Sequence, residues 1–152
     1  MQKQPTETQQ APNFRSTIEN AVVFGAAIGP FSGGIVAFVG GWLAAPILQS
    51  LHILSSEHAS ENSRLFFALL LALAIGITAG PSGALAGVAI ARSSKQANSI
   101  IFVGLVAGII QATLLTAFSA PWSGNAFIFY SVFTVVSNLI VALLVSKYLE
   151  RT

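Results

Sequence analysis

The stretch that decides the fold is Gly25-Ala26-Ala27-Ile28-Gly29-Pro30-Phe31-Ser32-Gly33-Gly34-Ile35-Val36-Ala37-Phe38-Val39-Gly40-Gly41-Trp42-Leu43-Ala44-Ala45. Every fourth residue in it is small: Gly25, Gly29, Gly33, Ala37, Gly41 and Ala45. Positions four apart share one face of a helix. The spacing therefore draws a nearly side-chain-free stripe along an otherwise apolar helix. In water each glycine would cost such a helix about 1 kcal/mol relative to alanine. In lipid the same stripe lets a second helix approach backbone to backbone.

The surrounding chain supports the lipid reading. Of 152 residues, 54% are hydrophobic and 8% charged, against about 25% charged in an average soluble domain. No Asp, Glu, Lys, Arg or His occurs in 20–51, 65–91 or 96–146. Apolar runs of 18 or more residues are the signature of membrane spans. The last run is too long for one span, and Ser119 to Asn125, with Pro121 and Gly124, reads as a turn inside it. The expected fold is thus an all-α integral membrane bundle of four transmembrane helices, at about 16–49, 63–91, 100–118 and 126–149. Ser16-Thr17-Ile18-Glu19 has the form of a capping box that would start the first helix. Residues 1–15 read as a disordered polar tail: Met1 to Asn13 is rich in Gln, Thr and Pro and lacks the pattern of a signal peptide.

Small-residue rows recur. Helix 2 carries Ala68, Ala72, Gly76, Gly80 and Ala84, and then Ala79, Gly83, Gly87 and Ala91; helix 3 carries Gly104, Gly108, Ala112 and Thr116. Two rows on helix 2 suggest two faces, one of them spare for a second copy or another membrane protein. Gly29-Pro30 and Gly80-Pro81 are expected as paired helix breaks at matching depth, because proline removes a backbone donor and clashes with the preceding turn. Ser32, Thr78 and Ser82 stand ready to cap loosened carbonyls. Gln111 and Asn138 are the deep carboxamides, expected near mid-membrane. These polar groups fit either an interhelical bond or the lining of a solute path past broken helices.

Orientation follows from the short loops. Lys3, Arg15, Arg92, Lys95, Lys147 and Arg151 fall on one side of a four-span topology and Arg64 alone on the other, so both termini are expected in the cytoplasm. Trp42, Trp122 and Tyr130 would then sit at the outer interface and Tyr148 at the inner one.

Several functions are disfavoured. Cysteine is absent, which removes thiolate chemistry and disulfides. The net charge of +2 is too small for a nucleic-acid footprint. No ionisable group lies inside a span, so neither general acid–base catalysis nor proton-coupled transport has a player, and no enzyme activity or cofactor is expected. His52, Glu57, His58 and Glu61 could meet a metal only with unspecific spacing. The run from Arg92 through Asn98-Ser99-Ile100 to Gly104 and Gly108 partly resembles the loop-to-helix signature of the four-span protein translocases of the mitochondrial inner membrane. Gln96 stands where that signature has an acidic residue, and no role is carried over. Two readings follow. One is a structural or accessory subunit that associates with itself or another membrane protein in the bilayer. The other is a small channel or uniporter for a neutral or weakly polar solute.

Overall fold

In the computed structural model, which describes residues 14–50, 61–92, 97–118 and 124–151, the chain forms four helices. These are α1 (Phe14–Ser50), α2 (Glu61–Arg92), α3 (Ala97–Phe118) and α4 (Gly124–Arg151), with no strand among the described residues. Each contains a segment long and apolar enough to cross a membrane: Thr17–Ala44, Arg64–Arg92, Asn98–Phe118 and Phe127–Arg151. The helix ends lie within two or three residues of the sequence expectation. The capping box falls inside the first turns of α1 rather than ahead of them. His52, Glu57, His58, Trp122, Lys3 and Lys95 lie outside the described residues.

The four helices run up and down. At one end Ala21 of α1, Ile90 of α2, Ile100 of α3 and Val141, Val145 and Leu149 of α4 form one buried cluster. At the other, Ala37 of α1 packs with Leu71 and Ile75 of α2, Leu115 of α3 and Phe133 of α4. The start of α1 and the end of α4 therefore share one end of the bundle. Around it α1 touches α2 and α4, and α3 touches the same two, while α2 and α4 meet across the centre and hold α1 and α3 apart.

The α1–α2 pair has the most extensive contact, and its residues explain why. A Cβ added at Gly25 would run into the carbonyl of Gly83, and one at Gly83 into the carbonyl of Gly25. Gly29 faces the Ala79 carbonyl in the same way, and Gly87 that of Ala21. A Cβ on Gly33 would lie 2.8 Å from that of Ala79. Each step of four forward on α1 is thus matched by a step of four backward on α2. The opposite face of α1 carries Val23, Phe31, Ile35, Val39 and Leu43, all exposed and all bulky. That is the pattern of a helix with a smooth inner face and a lipid-facing outer one.

Two expectations change here. Both α2 rows face α1: Gly76 and Gly80 lie against Pro30 and its neighbours, while Gly83 and Gly87 lie against Gly25 and Ala21. No spare glycine face remains on the described part of α2. Nor do the prolines break their helices; α1 runs through Pro30 and α2 through Pro81. A single proline deletes one amide bond, and the flanking bonds carry the helix past it. The carbonyl that Pro30 leaves without its amide partner is that of Ala26. It lies 3.7 Å from where a Cβ on Gly80 would stand, so it is covered by the crossing helix.

The α3–α4 pair repeats the device on a smaller scale. A Cβ on Gly104 would come within 3.0 Å of the Leu139 Cα, and one on Gly108 within 2.5 Å of the Val135 Cα. Between α1 and α4 the fit is different: Gly40 makes room for the ring of Phe133, and Phe24 stacks on Tyr148 with ring centroids 4.3 Å apart.

Candidate functional site

Polar residues that the sequence scatters over three helices meet in the middle of the bundle. Gln111 of α3 is fully buried. Its Nε2 donates to the Ile75 carbonyl at 3.0 Å and to Thr78 Oγ1 at 2.8 Å. Its Oε1 accepts from Asn138 Nδ2 at 2.7 Å and is reached by Ser82 Oγ at 3.2 Å. Both protons of this carboxamide are therefore used, and its oxygen accepts one full bond from Asn138 and a share of the Ser82 proton. Asn138 Nδ2 gives its second proton to the Thr134 carbonyl at 2.8 Å.

The amide orientations follow from the partners. The Ile75 and Thr134 carbonyls can only accept, so the NH₂ group of each carboxamide must face its carbonyl. That leaves Asn138 Oδ1, which is buried and has no partner among the described residues. An unmatched buried acceptor of this kind costs about 1–3 kcal/mol.

The hydroxyls tie this hub to the backbone. Thr78 donates to the Ala74 carbonyl at 2.9 Å while accepting from Gln111. The single proton of Ser82 lies between Gln111 Oε1 and the Ala79 carbonyl, at 3.2 Å from each. Ser32 reaches the Gly29 carbonyl at 3.1 Å and Ser137 Oγ at 3.4 Å; with its proton on Gly29, Ser137 is the donor to it. Thr134 Oγ1 lies 2.8 Å from the Gly108 carbonyl, across the α3–α4 crossing. Ser32 and Ser82 thus cap the Gly29 and Ala79 carbonyls, not those of Ala26 and Ile77, which Pro30 and Pro81 release.

Of the residues singled out in the sequence, Ser82, Gln111 and Asn138 meet in this cluster, and Ser32 joins α1 to α4 beside it. Gly25, Gly29, Gly33, Gly41, Gly76, Gly83 and Gly87 lie in the α1–α2 seam, and Gly104 and Gly108 in the α3–α4 seam. Gly80 has more room: a Cβ there would find only ordinary contacts, the nearest at 3.5 Å from Pro30 Cγ. Thr78 likewise caps the Ala74 carbonyl and not that of Ile77, and it accepts from Gln111. The sequence places Thr134 among the small and polar residues of helix 4, with Ser131, Ser137, Asn138 and Ala142, and gives no sign of the contact at Gly40. The run Thr134, Asn138, Ala142, Ser146, all buried, marks the α4 inner face with a four-residue period.

Chemically the cluster is neutral. It contains carboxamides and hydroxyls, and the described charged side chains Glu19, Arg64, Arg92, Lys147, Glu150 and Arg151 stand toward the helix ends. Among the described residues no three His, Cys, Asp or Glu come together. The arrangement can hold helices in register and orient a hydrogen-bonding group, but it has no side chain to move a proton. Fold and cluster together define a small four-span polytopic membrane protein. No family model, characterised protein or solved structure matches the chain.

Proposed function

We propose that the protein is a structural or accessory subunit of a membrane assembly, a rigid four-helix body that acts by association rather than by transport or catalysis. The observation that carries this reading is the saturated Gln111. A solute path would need polar groups turned toward water, whereas the deep carboxamide here spends every donor and acceptor on its own helices. The close α1–α2 seam leaves the same impression of a body that does not open. Association would use the bulky exposed faces, since the glycine rows on the described helices are taken up internally. The cationic bias of the loops supports both termini in the cytoplasm.

The alternative, a channel or uniporter for a small neutral solute, has one observation in its favour. Asn138 Oδ1 is an acceptor at the centre of the bundle with no partner among the described residues. Reconstitution into liposomes tests both readings. Stopped-flow shrinkage against water, urea and glycerol gradients is expected to match empty vesicles. A flux above that background that Gln111→Leu abolishes would overturn the structural reading. Affinity capture after mild crosslinking in the native membrane is expected to return a second copy or another membrane protein.

A further inference from the structure

Apolar grooves mark the surface of the bundle, and in one of them shape and position go together. Between α2 and α3 a groove with about 540 Å³ of empty space opens to the lipid side. Alanines on the facing helices, Ala86, Ala89 and Ala107, make its floor, and Leu85, Phe102 and Val106 are among its walls. The one polar group in it is Ser82, whose proton is engaged by the Gln111 cluster. The groove runs along α2 from Ser82 to Ala89. Arg92, exposed and in the last turn of α2, lies three residues beyond.

We infer that this groove seats one acyl chain of an anionic phospholipid, with the lipid phosphate against Arg92. Length supports the assignment. The lined stretch from Ser82 to Ala89 is about 10 Å long at 1.5 Å per residue, and Arg92 stands about 15 Å from Ser82, half of a hydrocarbon core about 30 Å thick. A chain in the groove therefore lies within one leaflet, with Arg92 toward the interface. Its bulk supports it too. A helix about 10 Å across would fill on the order of 800 Å³ over about 10 Å, more than the roughly 540 Å³ of empty space in the groove, whereas a single extended hydrocarbon chain is narrow enough to lie in it. Charge supplies the preference among lipids: a guanidinium at the mouth makes paired hydrogen bonds to a phosphate, and a net negative headgroup adds attraction that a zwitterionic one lacks. The inference rests on the membrane-spanning fold and not on the association reading, so it stands or falls separately from the flux assay.

Electron paramagnetic resonance of acyl-spin-labelled phosphatidylglycerol and phosphatidylcholine, with the purified protein in bilayers, tests it. A motionally restricted component is expected for both lipids, with phosphatidylglycerol favoured about fivefold at the protein, the enrichment one basic residue provides near an anionic surface. Arg92→Gln should abolish that preference and keep the restricted component. Filling the trench with Ala89→Phe, or with Val106→Phe if the first variant does not fold, should remove the tightly held fraction. Equal affinity for the two lipids, or a preference that survives Arg92→Gln, overturns the headgroup assignment. Unchanged immobilisation in a folded filled variant overturns the groove. Efficient disulfide formation between two copies carrying Phe102→Cys, in a chain with no other cysteine, would show a second copy there instead and overturn the lipid.

Discussion

Gln111 and Asn138 are both buried carboxamides bonded to each other, yet replacing each by leucine should have unequal consequences. Gln111→Leu removes four interactions: to the Ile75 carbonyl, Thr78, Ser82 and Asn138. Interhelical hydrogen bonds in membranes average about 0.6 kcal/mol each, so the loss is about 2 to 3 kcal/mol. Three of the partners keep local bonds: Thr78 has Ala74, Ser82 has Ala79, and the Ile75 carbonyl lies within a helix. Asn138→Leu removes one interhelical bond, to Gln111, about 0.6 kcal/mol on the same scale, and one within α4, to the Thr134 carbonyl. It also removes the unmatched Oδ1, which relieves about 1–3 kcal/mol. Asn138→Leu is therefore expected to be close to neutral, and in the Gln111→Leu background to be stabilising. The two single variants and the double variant complete a double-mutant cycle. Unfolding by SDS in mixed micelles, or steric trapping in bilayers, gives the free energies. If Asn138→Leu costs as much as Gln111→Leu, Oδ1 has a partner in the working protein, such as an internal water or a bound solute. That result would refute the reasoning and favour the transport reading.

The glycines divide sharply by the room around them. Gly25→Ala and Gly83→Ala place a methyl against the opposing backbone carbonyl and should each lower stability by several kcal/mol or prevent folding, whereas Gly34→Ala, whose nearest new neighbour is 3.9 Å away, should be tolerated in the same assay; equal effects would sink the seam. Gly40→Ala drives a methyl into the Phe133 ring, an overpacking worth about 1–3 kcal/mol, and adding Phe133→Leu should recover part of that loss. Pro81 is exposed and leaves the Ile77 carbonyl without its amide partner, so Pro81→Ala should be neutral or stabilising by thermal denaturation in detergent; loss of the folded state would mean that the proline shapes the α1–α2 crossing.

The spans were legible because the bilayer imposes a length and excludes charge, and both leave marks in one sequence. The same is true of the small-residue rows, since only close approach makes a run such as Gly25, Gly29, Gly33 useful in a helix. The polar cluster was half legible. Depth could be counted along each helix, which put Gln111 and Asn138 at one level, but rotation could not. Whether Thr78 and Ser82 turn toward their own carbonyls or toward α3 depends on how α2 is rolled against its neighbours. Gly40 was hidden for a related reason. It lies one residue off the α1 row, and its partner is an aromatic ring on α4, a fit that leaves no periodic signal.

The two rows on α2 show how a local reading of faces goes astray. Residues four apart on a straight helix advance by about 400°, so a row with that step creeps about 40° round the helix at each stride. A neighbour can follow such a row for a few strides before it turns away. The second row begins at Ala79, 11 residues after Ala68, and Gly83 and Gly87 stand 11 residues after Ala72 and Gly76. An 11-residue offset is three helical turns of about 3.67 residues, the repeat of a right-handed supercoil. The second row is therefore the first one reset, not a second face. Ala68 and Gly76 serve the half of the seam against Gly41 and Gly34, and Gly83 and Gly87 serve the half against Gly25 and Ala21. The restart lets α1 and α2 stay in backbone contact over most of a membrane thickness. It also removes the argument from a spare row. A partner that packs against the described helices within the bilayer would meet exposed aliphatic and aromatic faces, whose side chains contact one another without bringing the backbones together.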